Sequence, residues 1–171
     1  MNETCENGHS EERQECLSCE VGVDGMAESL EKMIESFGHA VVATRVEVPG
    51  GELNLSFTVG LSRQGLPELV TFSLPNHVAQ AMLNTSADRL RAGQLPTDVG
   101  VGEIACPMDV FFKVAFIEKV REVSLAIEAL SGVDAPMVLQ MVWPDKSGLF
   151  PWEAGFDESL RSCQPSLYGA D

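Results

Sequence analysis

Residues 40–59 read AVVATRVEVPGGELNLSFTV, and this stretch decides the fold. A valine-rich run, Ala40–Val48, is followed by a Pro-Gly-Gly turn and by a second run, Glu52–Val59, in which apolar and polar residues alternate. Two such runs about a Pro-Gly-Gly turn predict a β-hairpin. The alternation in the second run predicts one buried face, formed by Leu53, Leu55, Phe57 and Val59.

The segments around this hairpin predict a domain of mixed α and β structure. Before it, apolar residues recur at helical spacing, with Asp24 as the N-cap and Gly38 as the residue that ends the helix. After it, the patterns predict helices over residues 75–92 and 118–130 and strands over residues 68–74, 99–105, 110–117 and 136–142. Hairpins outnumber βαβ crossovers in this order. We therefore expect an α+β fold, with a mostly antiparallel sheet of about five to six strands and three helices packed on it.

Length and composition are those of one globular domain. The chain has 171 residues, of which 44% are hydrophobic and 22% are charged, and a domain of this size can bury a core without disulfides. We divide it into a polar N-terminal arm (residues 1–22), a single α+β domain (residues 23–157) and a C-terminal tail (residues 158–171).

The sequence also predicts the compartment. No apolar run approaches the roughly 18 residues that span a bilayer, and the acidic N-terminus is unlike the basic start of a signal peptide. We therefore expect a cytoplasmic protein with no membrane partner. In that compartment the cysteines are expected to be thiols or metal ligands rather than disulfides.

The charge balance narrows the classes of partner. Basic side chains number 11 and acidic ones 26, for a net charge of −15, which repels phosphate backbones and disfavours direct nucleic-acid binding. Three interpretations of this acidity stay open: a surface that keeps the protein soluble, attraction to a basic partner, or mimicry of nucleic acid toward a protein that binds it. The expected partner is an unidentified protein or small molecule.

Four possible metal ligands lie in the N-terminal arm, at Cys5, His9, Cys16 and Cys19. Zinc binds such ligands tetrahedrally, and a Cys-x-x-Cys pair supplies two thiolates on one tight turn. The spacing predicts a closed, structural Zn²⁺ site that would supply most of the ordering energy of the arm. Two alternatives stay open: an acidic tail whose thiols bind nothing, and a redox dithiol at the Cys-x-x-Cys pair.

Three short motifs carry a family resemblance. They are FTVGL (Phe57–Leu61), LPELV (Leu66–Val70) and the pair QMVWPD and GLFPWE within Gln140–Glu153. With these motifs the chain resembles, over roughly residues 16–157, a bacterial family catalogued as a domain of unknown function, number 4262. The Cys-x-x-Cys pair ahead of the first helix is similar to that of many members. The resemblance implies a fold family, but no agreed chemistry and no assigned catalytic residue.

The block after the last strand concentrates aromatic and acidic side chains, at Trp143, Asp145, Trp152 and Glu153. One interpretation is the wall of a ligand or partner pocket, since tryptophan gives a large contact area at low entropic cost. The other, which we favour, is a cap in which both indoles pack on the sheet edge and the prolines prevent edge pairing.

Two classes of function follow, and the sequence leaves open whether the protein is an enzyme. The first is a non-catalytic binding or interaction module with a zinc-ordered arm. It is favoured because motifs such as Gly-x-Ser-x-Gly and His-Glu-x-x-His are missing from the sequence. The alternative is a small-molecule or cofactor-binding enzyme, with a pocket between the first hairpin and the Trp-Pro-Asp loop. Its wall would include Gly60, Arg63, His77 and Trp143, with the glycine allowing close backbone approach and the arginine holding an anion. An acidic nucleic-acid mimic is a second alternative.

Overall fold

The structure is a computed structural model that describes residues 17–94, 100–102 and 109–169, with the backbone alone for residues 17–24 and 100–102. The chain divides into two compact units, Met1–Lys32 and Met33–Asp171. The described part of the first unit is helical, and in it Lys32 Nζ lies 2.8 Å from Glu28 Oε1 one turn away. The second unit contains the sheet.

Helices and strands follow each other in nearly the predicted order. The helices and strands are α1 (Leu17–Phe37), β1 (Ala40–Val48), β2 (Gly51–Val59), β3 (Glu68–Phe72), α2 (Asn76–Arg91), β4 (Gly100–Gly102), β5 (Val110–Val114), α3 (Ile117–Val123), α4 (Ala126–Ser131) and β6 (Val138–Val142).

The described strands form one sheet in the order β1-β2-β3-β6-β5-β4. Neighbours are antiparallel except for β3 and β6, which are parallel. The prediction of an α+β fold with a mostly antiparallel sheet is confirmed. The sheet is mixed because the chain crosses over between β3 and β6 instead of returning through a hairpin.

The predicted hairpin opens the sheet. Val48 pairs with Gly51 across the turn, and Ala40 pairs with Val59 at the far end. Gly50 takes a φ of +109° in the turn, a conformation that glycine adopts without strain. On the predicted inner face, Leu55, Phe57 and Val59 are fully buried.

Both faces of the central strands are covered. Every residue of β3 and β6 is buried, as are residues 55–59 of β2, and successive side chains of a strand point to opposite faces. Helix α2 covers one face, where Met82 belongs to the same buried cluster as Leu69 and Leu139. The neighbouring Gln140 therefore points to the opposite face, where its side chain binds the backbone of the C-terminal segment at Pro165 and Leu167.

Some element boundaries differ from those predicted. Helix α1 begins at Leu17, upstream of the predicted cap Asp24, and ends before Gly38, whose φ is +80°. The third predicted helix is two short helices, because Ser124 adopts an extended conformation that ends α3. Of the predicted strand 99–105, residues 100–102 form β4 and the others lie outside the described residues. Among the described helices, none is long and apolar enough to cross a membrane.

Candidate functional site

A buried carboxylate organises the loop between β2 and β3. Glu68 is fully buried, and its Oε1 accepts hydrogen bonds from Gly60 N at 2.9 Å, Ser62 N at 2.9 Å and Ser62 Oγ at 2.7 Å. Its Oε2 accepts from Thr58 Oγ1 at 2.7 Å, and that hydroxyl accepts from Leu69 N at 2.8 Å. A buried carboxylate needs such donors to offset its lost hydration. The FTVGL and LPELV motifs therefore meet in one structural network, which we call the Glu68 network.

Gly60 lies where the end of β2 contacts the end of α1. Its φ is +105°, and a Cβ atom added to it would lie 3.0 Å from Ile34 Cγ2 and 3.3 Å from the carbonyl oxygen of Gly38. The glycine expected to allow close approach of a ligand instead allows close approach of a helix.

The predicted pocket residues Gly60, Arg63, His77 and Trp143 are not brought together around one cavity. Arg63 Nε donates to the carbonyl of Ser131, the last residue of α4, at 3.3 Å. His77 is exposed in the first turn of α2. Gly60 is hydrogen-bonded to Glu68 at the start of β3, and Trp143 is hydrogen-bonded to Phe72 at its end. These two ends of β3 are about 13 Å apart.

Trp143 is part of the core. It is 9% exposed, and its Nε1 donates to the carbonyl of Phe72 at 2.9 Å. The amide of Gln164 is bonded to the Trp143 backbone twice, accepting from N at 3.2 Å and donating to O at 2.8 Å. This half of the block is a cap on the sheet.

Gln140 holds the C-terminal segment against the other face. Its Nε2 donates to the carbonyl of Pro165 at 2.8 Å and its Oε1 accepts from Leu167 N at 2.8 Å. Leu167 is 2% exposed. The residues assigned to a C-terminal tail thus include a segment that packs on this face of the sheet.

Asp145 and Glu153 shape the loop that carries the aromatic residues. Asp145 accepts from the backbone N–H groups of Ser147, Leu149 and Asp157. The bond from Leu149 is the main cause that lowers the pKa of Asp145 below its ordinary value, with those from Asp157 and Ser147 adding to it. Glu153 accepts from Phe150 N at 2.8 Å.

Trp152 stands in a cluster of aromatic rings with a lysine. Its ring stacks on Phe150 at 5.1 Å between centroids, and its edge-to-face neighbours are Phe111 at 5.0 Å and Tyr168 at 5.9 Å. The ammonium of Lys113 lies 4.5 Å from the Trp152 centroid, 4.8 Å from that of Phe111 and 5.6 Å from that of Tyr168. These distances are those of cation–π contacts.

A cavity opens beside this cluster. It has a volume of about 480 Å³ and is lined by Trp152 and Tyr168 together with Pro151, Pro165 and Arg161. We call it the Trp152 cavity. Trp152 keeps 43% of its surface exposed there, so this half of the block is a wall and not a buried cap. Arg161 pairs with Glu158, Nε to Oε2 at 2.7 Å and Nη2 to Oε1 at 2.8 Å.

Comparison with known proteins identifies the family. A family model described as a domain of unknown function, DUF4262, matches residues 33–157. The chain belongs to the DUF4262 family. No curated protein and no solved structure matches it significantly. The matched range covers β1 to β6 and Trp152, whereas Arg161 and Tyr168 of the Trp152 cavity lie beyond it.

A second polar cluster of this DUF4262 domain surrounds His39, which is 7% exposed. Arg91 Nη2 lies 2.7 Å from His39 Nδ1, and Asn84 Oδ1 lies 2.9 Å from Nε2. Because a guanidinium only donates, Nδ1 accepts and Nε2 carries the proton. Both ring nitrogens are therefore engaged within the protein, in agreement with a structural role.

The predicted zinc ligands are barely covered by the structure. Cys5, His9 and Cys16 lie outside the described residues, and Cys19 falls within α1, where only the backbone is described. Among the side chains that are described, no group of three or more His, Cys, Asp or Glu could hold a metal ion. The zinc site stays a prediction.

Sequence reasoning identified Trp152 but missed its neighbours Phe111, Lys113, Arg161 and Tyr168. Phe111 and Lys113 come from β5, far from Trp152 in sequence, whereas Arg161 and Tyr168 come from the segment that follows the Trp152 loop. One signal was available for two of them: Phe111 and Lys113 are two apart in a strand, and such residues share a face.

Proposed function

We propose that this protein is a non-catalytic binding module and that its ligand site is the Trp152 cavity. The observation that carries the proposal is the 43% exposure of Trp152 at the wall of the cavity. Ligand sites are typically concave and lined by apolar and aromatic side chains with a few polar groups. The lining of this cavity, which includes two aromatic rings, two prolines and one arginine, fits that description.

The polar groups near the cavity support binding rather than catalysis. Asp145 and Glu153 accept hydrogen bonds from loop backbone N–H groups, and Gln164 is bonded at both ends to the backbone of Trp143. A general acid or base must exchange a proton with the substrate. These groups instead fix the shape of the cavity wall, while Trp152 and Tyr168 supply contact area.

Ligand binding can be tested with the uncharged planar probe 2-naphthamide and two-dimensional N–H NMR. We expect the indole N–H signal of Trp152 to shift, because the probe contacts the exposed part of this side chain. The signal of Trp143 should stay in place, because that N–H is buried and bonded to Phe72. The unmoved Trp143 signal also reports that the fold is intact.

Two variants complete this test. Trp152→Ala should weaken probe binding by about tenfold or more, as for a central aromatic contact. The matched control is Phe116→Ala, since Phe116 is 52% exposed and is not among the residues that line the cavity. A Trp152 signal that stays still at millimolar probe, or an equal loss in both variants, would contradict the proposal.

We also propose that the N-terminal arm of this module is ordered by structural zinc. The support is the clustering of Cys5, His9, Cys16 and Cys19 within a short polar segment. A site with four protein ligands leaves zinc no open position for a substrate, so its role is to hold the arm.

A further inference from the structure

We infer that the ligand of the Trp152 cavity is a planar aromatic anion, packed against Trp152 and Tyr168 and paired through its anionic group with Arg161. This inference rests on the proposed binding function and names the class of ligand. It differs from the expectation based on net charge alone, which favours a basic partner.

The aromatic rings already hold a positive charge. The ammonium of Lys113 lies 4.5 Å from the Trp152 centroid and 5.6 Å from that of Tyr168. Rings that hold one cation disfavour a second one nearby, since like charges repel at this range. The same ammonium attracts a carboxylate or phosphate group that approaches the rings.

The guanidinium of Arg161 is the charged group among the described residues that line the cavity. It binds the carboxylate of Glu158 through two nitrogens, at 2.7 and 2.8 Å. A guanidinium in this fork geometry recognises planar anions. The pair is open to solvent, with side-chain exposures of 45% for Arg161 and 72% for Glu158. Such exposed pairs are weak, so a ligand anion can replace Glu158.

Two lysines add positive charge next to the residues that line the cavity. Lys119 Nζ donates to the carbonyl of Gly169, a lining residue, at 2.6 Å. Lys113, Lys119 and Arg161 thus border one cavity of a chain that has only 11 basic residues. Charges beyond about 8 Å are largely screened at physiological salt. An anion at the cavity therefore responds mainly to the charges beside it, which are these three cations and the carboxylates of Glu153 and Glu158, and less to the net charge of −15.

The shape of the cavity selects a flat ligand. Trp152 and Tyr168 meet at an interplanar angle of 81° and form a corner. A flat ring that enters this corner contacts both side chains. The volume of about 480 Å³ lies within the roughly 300–1,000 Å³ usual for small-molecule sites.

The experiment compares three probes that share one ring system: 2-naphthoate, uncharged 2-naphthamide and protonated 2-naphthylmethylamine. Binding to the full chain is followed by the Trp152 indole signal. We expect naphthoate to bind about two- to fivefold more tightly than naphthamide, because an ion pair with an exposed guanidinium is weak. The ammonium probe should bind most weakly.

Variants of the ion pair test the role assigned to Arg161. Arg161→Met should remove the preference for naphthoate over naphthamide. Glu158→Gln should strengthen naphthoate binding by about two- to fivefold, because it removes the internal competitor. The matched controls are Arg45→Met and Glu52→Gln, which alter an exposed ion pair on the hairpin and should leave all three affinities unchanged.

The outcomes separate this inference from the proposed function. If all three probes shift Trp152 equally and Arg161→Met has no effect, the cavity binds rings but the anion inference is wrong. Tightest binding by the ammonium probe would also overturn it. If no probe shifts the Trp152 signal, the proposed binding function is wrong, and the inference that rests on it is wrong as well.

Discussion

Glu68 is a buried charge whose hydrogen-bond donors come from a neighbouring motif. Its carboxylate accepts from Thr58, Gly60 and Ser62, and it is fully buried. A carboxylate in that position holds the loop after β2 in one conformation only if the donor groups of the loop all point toward it. This requirement explains Thr58 of FTVGL and Glu68 of LPELV, because the threonine hydroxyl donates to the carboxylate. Ser62, which follows FTVGL, supplies a second hydroxyl donor.

Glu68→Gln should lower the free energy of unfolding by about 1–3 kcal/mol. The amide keeps the shape of the side chain, but it replaces one acceptor oxygen with a donor that faces another donor. The change can be measured by urea denaturation. Glu52→Gln is the control, because Glu52 is exposed and its contact with Arg45 is 3.5 Å long, and we expect a change within about 0.5 kcal/mol. Equal effects of the two variants would show that the Glu68 network contributes no stability.

The sequence predicted the roles of some single residues but not of others. Gly38 was identified as the end of a helix, because a glycine after an apolar stripe is a local signal. Trp143 and Trp152 look alike in sequence, yet one is 9% exposed and the other 43%. Their difference depends on Phe72 and Gln164, which reach Trp143 through the fold and not through the chain.

At the scale of elements, the junction of α1 with β2 depends on Gly60. The end of α1 lies so close that a Cβ atom at this position would lie 3.0 Å from Ile34. The positive φ of Gly60 adds a second constraint, because side-chain-bearing residues rarely adopt it. Helix and strand can therefore pack closely only with glycine there.

Gly60→Ala should destabilise the protein by about 2–4 kcal/mol, since backbone strain and overpacking act together. Gly50→Ala is the matched control. Gly50 has a similar φ of +109°, but nothing lies within 4 Å of an added Cβ atom. We expect its cost to be about 1–2 kcal/mol, from the backbone alone. Thermal unfolding of both variants measures the difference, and equal losses would show that contact with α1 contributes nothing.

The hairpin and the C-terminal segment differ in how far the sequence predicted them. The hairpin follows from a local alternation and a turn, and the two strands pair as an antiparallel hairpin. The C-terminal segment has no such periodicity. It is held by the side chain of Gln140, which bonds Pro165 and Leu167. A buried glutamine in a strand carries no sequence signal for the distant backbone that it will bind.

At the scale of the whole molecule, the zinc prediction concerns the arm and its four ligands. The purified full chain should contain about one zinc ion, and Cys16→Ser should lose it, because a structural site needs all four ligands. The measurement is elemental analysis. The control is Cys163→Ser, since Cys163 is a free, partly buried cysteine of the domain, and it should keep the metal. A metal-free full chain, or equal zinc in both variants, would refute the zinc-ordered arm.

The hairpin, most of the order of helices and strands, and the acidic character of the chain follow from the residues alone. These are local or additive properties: periodicity acts over a few residues, and net charge is a sum. Only the tertiary structure decided that Trp143 is buried and Trp152 exposed, and that Lys113 and Arg161 stand beside Trp152. Those facts depend on which distant segments pack together, because a side chain is buried or presented by residues that its own sequence neighbours do not specify.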